Sequence, residues 1–191
     1  MKNRLRILIL MSAIAGTMAA QQQEPMSAVI NRGLERSLQQ SLIMAKSLEN
    51  EENALPRTYD KKRFVKCNYK NWVAGFFPGV LWYLLEGERF FQSGIQPLCE
   101  SGKAERKVKG EGLCTAQLEY YARLFTERID SAQYMKWTHD LGFIINDSYG
   151  HAYRLTGDPK YRAVLERGAE SLATRYKDKV GLIQSWGKRN G

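Results

Sequence analysis

Arg154-Leu155-Thr156-Gly157-Asp158-Pro159-Lys160-Tyr161 closes one helix and opens the next within eight residues, and its reading decides the architecture. Gly157 tolerates the left-handed backbone of a C-terminal cap, and Asp158 is a favoured N-cap residue. Pro159 suits a first helical position, where its missing N–H would have found no partner anyway. The stretch is the corner of a helical hairpin. Upstream, the pattern predicts a helix over 138–155. Downstream, Tyr161, Val164, Leu165, Ala169 and Leu172 recur at helical spacing.

The same logic extends outward. Ile30, Leu34, Leu38, Leu42, Ala45 and Leu48 predict an amphipathic helix over 27–50, broken by Leu55-Pro56-Arg57-Thr58-Tyr59 and followed by a charged extended loop. A second helix is predicted to start near Pro78 and run to Gly87, and a third covers 115–129 with Leu118, Tyr121, Ala122 and Phe125 on one side. Between them, residues 92–112 carry four glycines, a proline and a basic cluster, which reads as an inserted loop. Only 180–184 resembles a strand. The chain is therefore all-α, built from helical hairpins of the kind found in bundles, solenoids and α/α toroids, and periodicity does not choose among them.

Across 191 residues the sequence is 43% hydrophobic and 26% charged, which suits a folded domain rather than a disordered chain. The formal charge of +9 includes Lys2, Arg4 and Arg6. Those three belong to a basic segment followed by an apolar run (7–14) and small residues (15–20), the pattern of a secretory signal. Residues 1–20 are thus expected to be removed, residues 21–26 to form a polar leader, and residues 27–191 to be exported to the periplasm or beyond. No later apolar run approaches a membrane span. An oxidising compartment allows Cys99 and Cys114 to close the inserted loop, with Cys67 buried and free. The basic runs Lys61-Lys62-Arg63 and Arg106-Lys107-Val108-Lys109 are short and lack interleaved aromatics, so nucleic acid is not an expected partner.

No P-loop, dinucleotide fingerprint or G-x-S-x-G occurs, and two histidines do not furnish a multi-His metal centre. Carboxylates and aromatics remain, the equipment of carbohydrate enzymes. Two clusters carry them. Asn71-Trp72-Val73-Ala74-Gly75-Phe76-Phe77-Pro78-Gly79-Val80-Leu81-Trp82 sets four aromatics around two glycines where a loop enters a helix. Such rings either stack on sugar faces or dock into the core. Lys136-Trp137-Thr138-His139-Asp140-Leu141-Gly142-Phe143 places Asp140 in a first helical turn, as a reacting carboxylate or as a helix cap.

Together with Arg154-Leu155-Thr156-Gly157-Asp158 and Gly181-Leu182-Ile183-Gln184-Ser185-Trp186-Gly187, these clusters resemble the unsaturated glucuronyl hydrolases, the family 88 glycoside hydrolases. The resemblance runs from about Ser27 to the end, apart from roughly Phe90 to Gln117. It implies an (α/α)6 toroid of which about half is present. It also implies hydration of the 4,5 double bond in an unsaturated uronic acid at the non-reducing end of lyase-generated oligosaccharides, with neither metal nor cofactor. Asp140 matches an essential aspartate of the family, His139 a neighbour lining the uronate site, and Trp72, Phe76 and Trp186 aromatic positions of the pocket. The family's principal acid/base aspartate has no counterpart before Gly191, so this chain alone is expected to be inactive. A non-catalytic sugar-binding module and a hydrolase of unsaturated galacturonides are the alternatives.

Overall fold

The computed structural model describes residues 24–91 and 111–185. The expected signal, residues 92–110 of the expected insertion, Cys99 with its pairing to Cys114, and Trp186 lie outside them. Backbone contacts divide the chain at Arg32/Gly33. In the first unit, the described residues open helix α1 (Met26–Leu48), and Arg32 pairs with Glu24. The second unit holds everything that follows.

From Gly33 onward, α1 buries Leu38, Ala45 and Leu48, with Leu34 and Leu42 half-buried beside them. The expected stripe holds over these residues. Its first member, Ile30, is instead 52% exposed.

The expected loop after Leu55 is an antiparallel hairpin, β1 (Leu55–Asp60) and β2 (Arg63–Cys67), with Leu55 opposite Cys67, Tyr59 opposite Phe64 and Asp60 opposite Arg63. An irregularity falls between Pro56 and Thr58. Lys61 and Lys62 form the two-residue turn with φ of 44° and 65°, the backbone of a type I′ turn. That turn is normally announced by Asn-Gly or Asp-Gly. Two lysines announce nothing, and only Leu55 is buried among the strand residues, so no apolar alternation revealed the pair. Cys67 is free but half-buried rather than buried.

Helix α2 (Phe76–Phe91) starts two residues before Pro78, which still lies in the first turn where its lost donor costs nothing. It packs against α3 (Glu111–Glu127) through Phe77, Leu81, Trp82 and Leu85 on one side and Leu118, Tyr121, Ala122 and Phe125 on the other. The Phe77 and Phe125 rings meet edge to face with centroids 4.9 Å apart. The indole N–H of Trp82 donates to Thr126 Oγ1 at 2.9 Å, and Thr126 donates to the Ala122 carbonyl.

After a 3-10 turn (Asp130–Tyr134), the helix expected over 138–155 forms in three pieces: α4 (Leu141–Ile145), a π-helical turn (Asn146–Gly150) and α5 (His151–Thr156). Gly157, at φ 68°, ends α5, and Asp158 caps α6 (Pro159–Ala173) by accepting the Lys160 N–H, as the corner motif predicts. Strand β3 (Tyr176–Lys177) then pairs with β4 (Leu182–Ile183), the observed remnant of the strand expected over 180–184.

Helix α2 and the α4–α5 rod lie side by side. A side chain at Gly75 would strike the Ile144 carbonyl, and one at Gly79 the Asp147 carbonyl. Farther along, the Tyr83 ring leans on His151 with centroids 4.2 Å apart, and Arg154 pairs with Glu86. Partner numbers climb together, so the two helices run parallel, with α3 between them in sequence. Parallel neighbours joined through a returning helix are the repeating feature of a toroid of α-hairpins.

Candidate active site

Because α2 and α4 are parallel and in contact from their first turns, their N-terminal ends come together, and each end carries one of the two sequence clusters. Gly75 brings the two backbones into van der Waals contact at Ile144. The side chains beside this contact are forced outward. Trp72 and Phe76 meet edge to face at 5.5 Å, and Phe76 meets Phe143 of α4 in the same way at 6.4 Å. All three rings stay exposed, at 52%, 36% and 50%. Of the four aromatics in the first cluster, Phe77 and Trp82 instead fill the core on the opposite side of α2. Within one cluster the core thus takes two rings and the surface keeps two.

Asp140 stands one helical turn before Phe143 and occupies the N-cap position of α4, yet its carboxylate caps no backbone N–H. Its two oxygens are held by neighbours. Thr138 Oγ1 donates to Oδ2 at 2.9 Å and receives the Asp140 backbone N–H at 3.1 Å, while His139 Nε2 lies 3.2 Å from Oδ1. The Asp140 carbonyl accepts the Ile144 N–H, the first helical bond of α4. The side chain is 22% exposed, enough to be approached from solvent and too little to swing freely. The cap alternative fails on this geometry.

Behind the site, the π turn packs Tyr149 into the core. Its hydroxyl donates to Asp130 Oδ1 at 3.2 Å, and burial together with that carboxylate pushes the phenol far above its ordinary range. Ser148 donates to the Ile144 carbonyl at 2.5 Å, bracing the stretch that faces Gly75.

Arg175 escaped sequence reading. An arginine just past a helix end looks like a surface cation, but this one is buried and donates to the carbonyls of Lys136 (3.0 Å), Gln184 (2.8 Å) and Ser185 (2.8 Å). One planar, multi-donor group thereby ties the segment leading into His139 and Asp140 to the segment leading into Trp186. Phe143 was also overlooked, although its position three residues after Asp140 puts it on the same helical face.

Among the described residues, no group of three or more His, Cys, Asp and Glu side chains could hold a metal ion, and no helix is long and apolar enough to cross a membrane.

No family model matches the chain. Over 122 residues it is 30% identical to an unsaturated glucuronyl hydrolase of Formosa agariphila, covering 63% of this chain and 24% of that protein. An unsaturated chondroitin disaccharide hydrolase of Streptococcus agalactiae is 28% identical over 159 residues, 83% of this chain and 34% of the relative. The crystal structure of an unsaturated glucuronyl hydrolase specific for heparin superposes with a TM-score of 0.58 at 34% identity, over 81% of this chain and 36% of the other. The Bacillus sp. GL1 unsaturated glucuronyl hydrolase, at 20% identity and a TM-score of 0.54, shares the fold. These names agree, and the chain spans only 24% and 34% of the two curated relatives' lengths. It matches a part of their larger toroid.

Proposed function

We propose, taking the chain as the matching portion of an unsaturated glucuronyl hydrolase, that the protein containing it adds water across the 4,5 double bond of an unsaturated uronic acid at the non-reducing end of oligosaccharides left by polysaccharide lyases. The observation that carries this reading is the Asp140 carboxylate, braced by Thr138 and His139, one helical turn from Phe143, which continues through Phe76 to Trp72 as a row of exposed rings.

The substrate alkene is an enol ether. A proton delivered to C4 leaves positive charge shared between C5 and the ring oxygen, water adds at C5 and loses a proton, and the resulting hemiketal opens to release the next sugar. The flattened ring suits an aromatic platform, here Trp72, Phe76 and Phe143, to which the family resemblance adds Trp186. Asp140 accepts a hydrogen bond from the incoming water and stabilises the positive charge, while His139 fixes the carboxylate and lines the uronate site. The proposal assigns the C4 proton to a second carboxyl group outside this chain. Unsaturated glycosaminoglycan disaccharides, named for the chondroitin- and heparin-directed relatives, are the substrates to try first.

The test is the loss of alkene absorbance from an unsaturated chondroitin disaccharide, followed for this chain joined to the rest of a toroid. Asp140→Asn is expected to lower kcat by about 100-fold or more with little change in thermal midpoint. Undiminished turnover in that variant would overturn the assignment. Export belongs to the same proposal and is supported by the basic, apolar and small-residue order of residues 1–20. N-terminal sequencing of protein recovered outside the cytoplasm is expected to show processing after Ala20.

A further inference from the structure

We propose that the β1–β2 hairpin is a second saccharide contact, separate from the Trp72–Asp140 site, which grips the anionic rings of a longer acidic oligosaccharide. The identity of that polyanion rests on the function proposed above.

Between Leu55 and Lys70 stand Arg57, Lys61, Lys62, Arg63, Lys66 and Lys70, opposed by the single carboxylate of Asp60. Lys66 is engaged by Glu51. Lys61, Lys62 and Arg63 are exposed at the turn, and among the described residues none of them makes an ion pair. Beside them Tyr59 and Phe64 meet edge to face at 5.3 Å while remaining 62% and 43% exposed. The hairpin therefore holds an apolar surface in water next to an uncompensated positive charge. The turn has a further oddity. Both lysines adopt positive φ, where asparagine and glycine are strongly preferred. Backbone strain retained at an exposed position is an observation from which a function can be inferred. What these two residues bring that asparagine and glycine would not is a pair of long cationic side chains.

A uronate ring matches this surface on both counts. Its C–H face stacks on an aromatic ring, and its carboxylate, or a sulfate ester on a neighbouring ring, meets ammonium and guanidinium groups. Single-stranded nucleic acid shares the anionic charge but stacks its bases along successive platforms. One edge-to-face pair is poorly shaped for that. The location also fits. Trp72 lies five positions after Cys67, so the base of the hairpin lies at most about 18 Å from the aromatic platform. That span is within the length of an oligosaccharide of several rings.

The test uses the full chain and saturated hexasaccharides, which lack the alkene and so report binding without chemistry. A heparin hexasaccharide carries sulfate and carboxylate, and a hyaluronan hexasaccharide carries carboxylate alone. Titration calorimetry at two salt concentrations is expected to show Lys61→Gln/Lys62→Gln/Arg63→Gln binding about tenfold more weakly, with a flatter salt dependence. Lys61→Asn/Lys62→Gly builds the preferred turn and so keeps the hairpin folded; it too is expected to weaken binding several-fold, while Arg167→Gln, which removes an exposed cation outside the hairpin, stays within about twofold of the parent. Weakening for heparin alone assigns the contact to sulfate, and weakening for both assigns it to carboxylate. Parental affinity in both hairpin variants would overturn the proposal, as would equal loss in Arg167→Gln or equally tight binding of a single-stranded DNA of matched charge. Failure of the catalytic reading would instead appear as Asp140-independent turnover with hairpin binding intact.

Discussion

The two sides of α2 meet their neighbours in opposite ways. Toward α3 it offers Phe77, Leu81, Trp82 and Leu85, and the contact is side chain against side chain. Toward the α4–α5 rod it offers Gly75 and Gly79, and the contact is backbone against backbone. The first interface removes large apolar surfaces from water and is where stability comes from, at about 1.5–3 kcal/mol for each large side chain buried. The second buries little but fixes two helix ends at a separation no side chain could bridge. Its consequence is that Trp72, Phe76 and Phe143 are displaced to the outside, next to Asp140. One side holds the fold together and the other spaces the site.

The largest expected effect lies on the packed side. Trp82→Ala should destabilise by about 3–5 kcal/mol, since it leaves a cavity and strips Thr126 of its indole donor. A denaturant midpoint measures it. On the glycine side, Gly79→Ala should cost about 2–3 kcal/mol despite adding only one methyl group, because that carbon would sit 2.4 Å from the Asp147 carbonyl oxygen, a backbone atom with no rotamer to relax into. The comparison predicts different by-products. Gly79→Ala should also shift the near-ultraviolet signal of the exposed aromatics, while Trp82→Ala should leave Trp72 emission unchanged. If Gly79→Ala proved neutral, the claim that backbone contact spaces the site would fail.

Much of the packed side is legible in the sequence, and little of the glycine side is. Leu118, Tyr121, Ala122 and Phe125 declare their interface by spacing alone, and Gly157-Asp158-Pro159 declares a hairpin corner because caps are local chemistry. Gly75 and Gly79 are visible as glycines, but the carbonyls they admit lie some seventy positions away, and no local pattern names Ile144 or Asp147. The π turn at Asn146–Gly150 has no signature, and the β1–β2 turn lacks the expected one. At the site, Asp140 stands at a helix start as the sequence suggests, but nothing local announces that its oxygens meet Thr138 and His139 rather than a backbone N–H. Arg175 was invisible because its three acceptors are backbone carbonyls, which a sequence never displays.

Arg175 sharpens the comparison at smaller cost. Replacing it with Met keeps most of its bulk but leaves three carbonyls to find water, an expected loss of about 1–2 kcal/mol. The informative measurement is amide hydrogen exchange. Protection should fall around Lys136–Leu141 and in β3–β4 while α2 and α3 keep theirs. Uniform loss of protection would show that Arg175 supports the whole fold rather than the two site segments.

The smallest effect separates the two sides by pH. Where the glycine seam continues, His151 lies against Tyr83, and burial holds its imidazole below the ordinary value of 6.5. The Arg154 guanidinium lowers it further, and the carboxylates of Asp147 and Glu86 pull the other way without prevailing. Below about pH 6.5 the unfolded chain therefore binds the proton more readily than the folded one, so this contribution to stability is complete above that value and declines as pH falls through the folded value. Glu86 and Glu119 are also lowered, chiefly by hydrogen bonds from Arg154 and Arg123, but their contributions persist down to the carboxylate range near 4.5 and fade only below it. The imidazole's window opens at a higher pH than the carboxylates'. Thermal midpoints taken from pH 7 to pH 5 should fall slightly for the parent chain and stay flatter for His151→Gln, with the acid limb below pH 4.5 common to both. On the α3 side, the groups beside Trp82 are Arg123 and Tyr161, neither of which titrates in that window. A parent and a variant that decline in parallel between pH 7 and 5 would place the sensitivity elsewhere and remove pH as a way of telling the spacing side of α2 from the packed one.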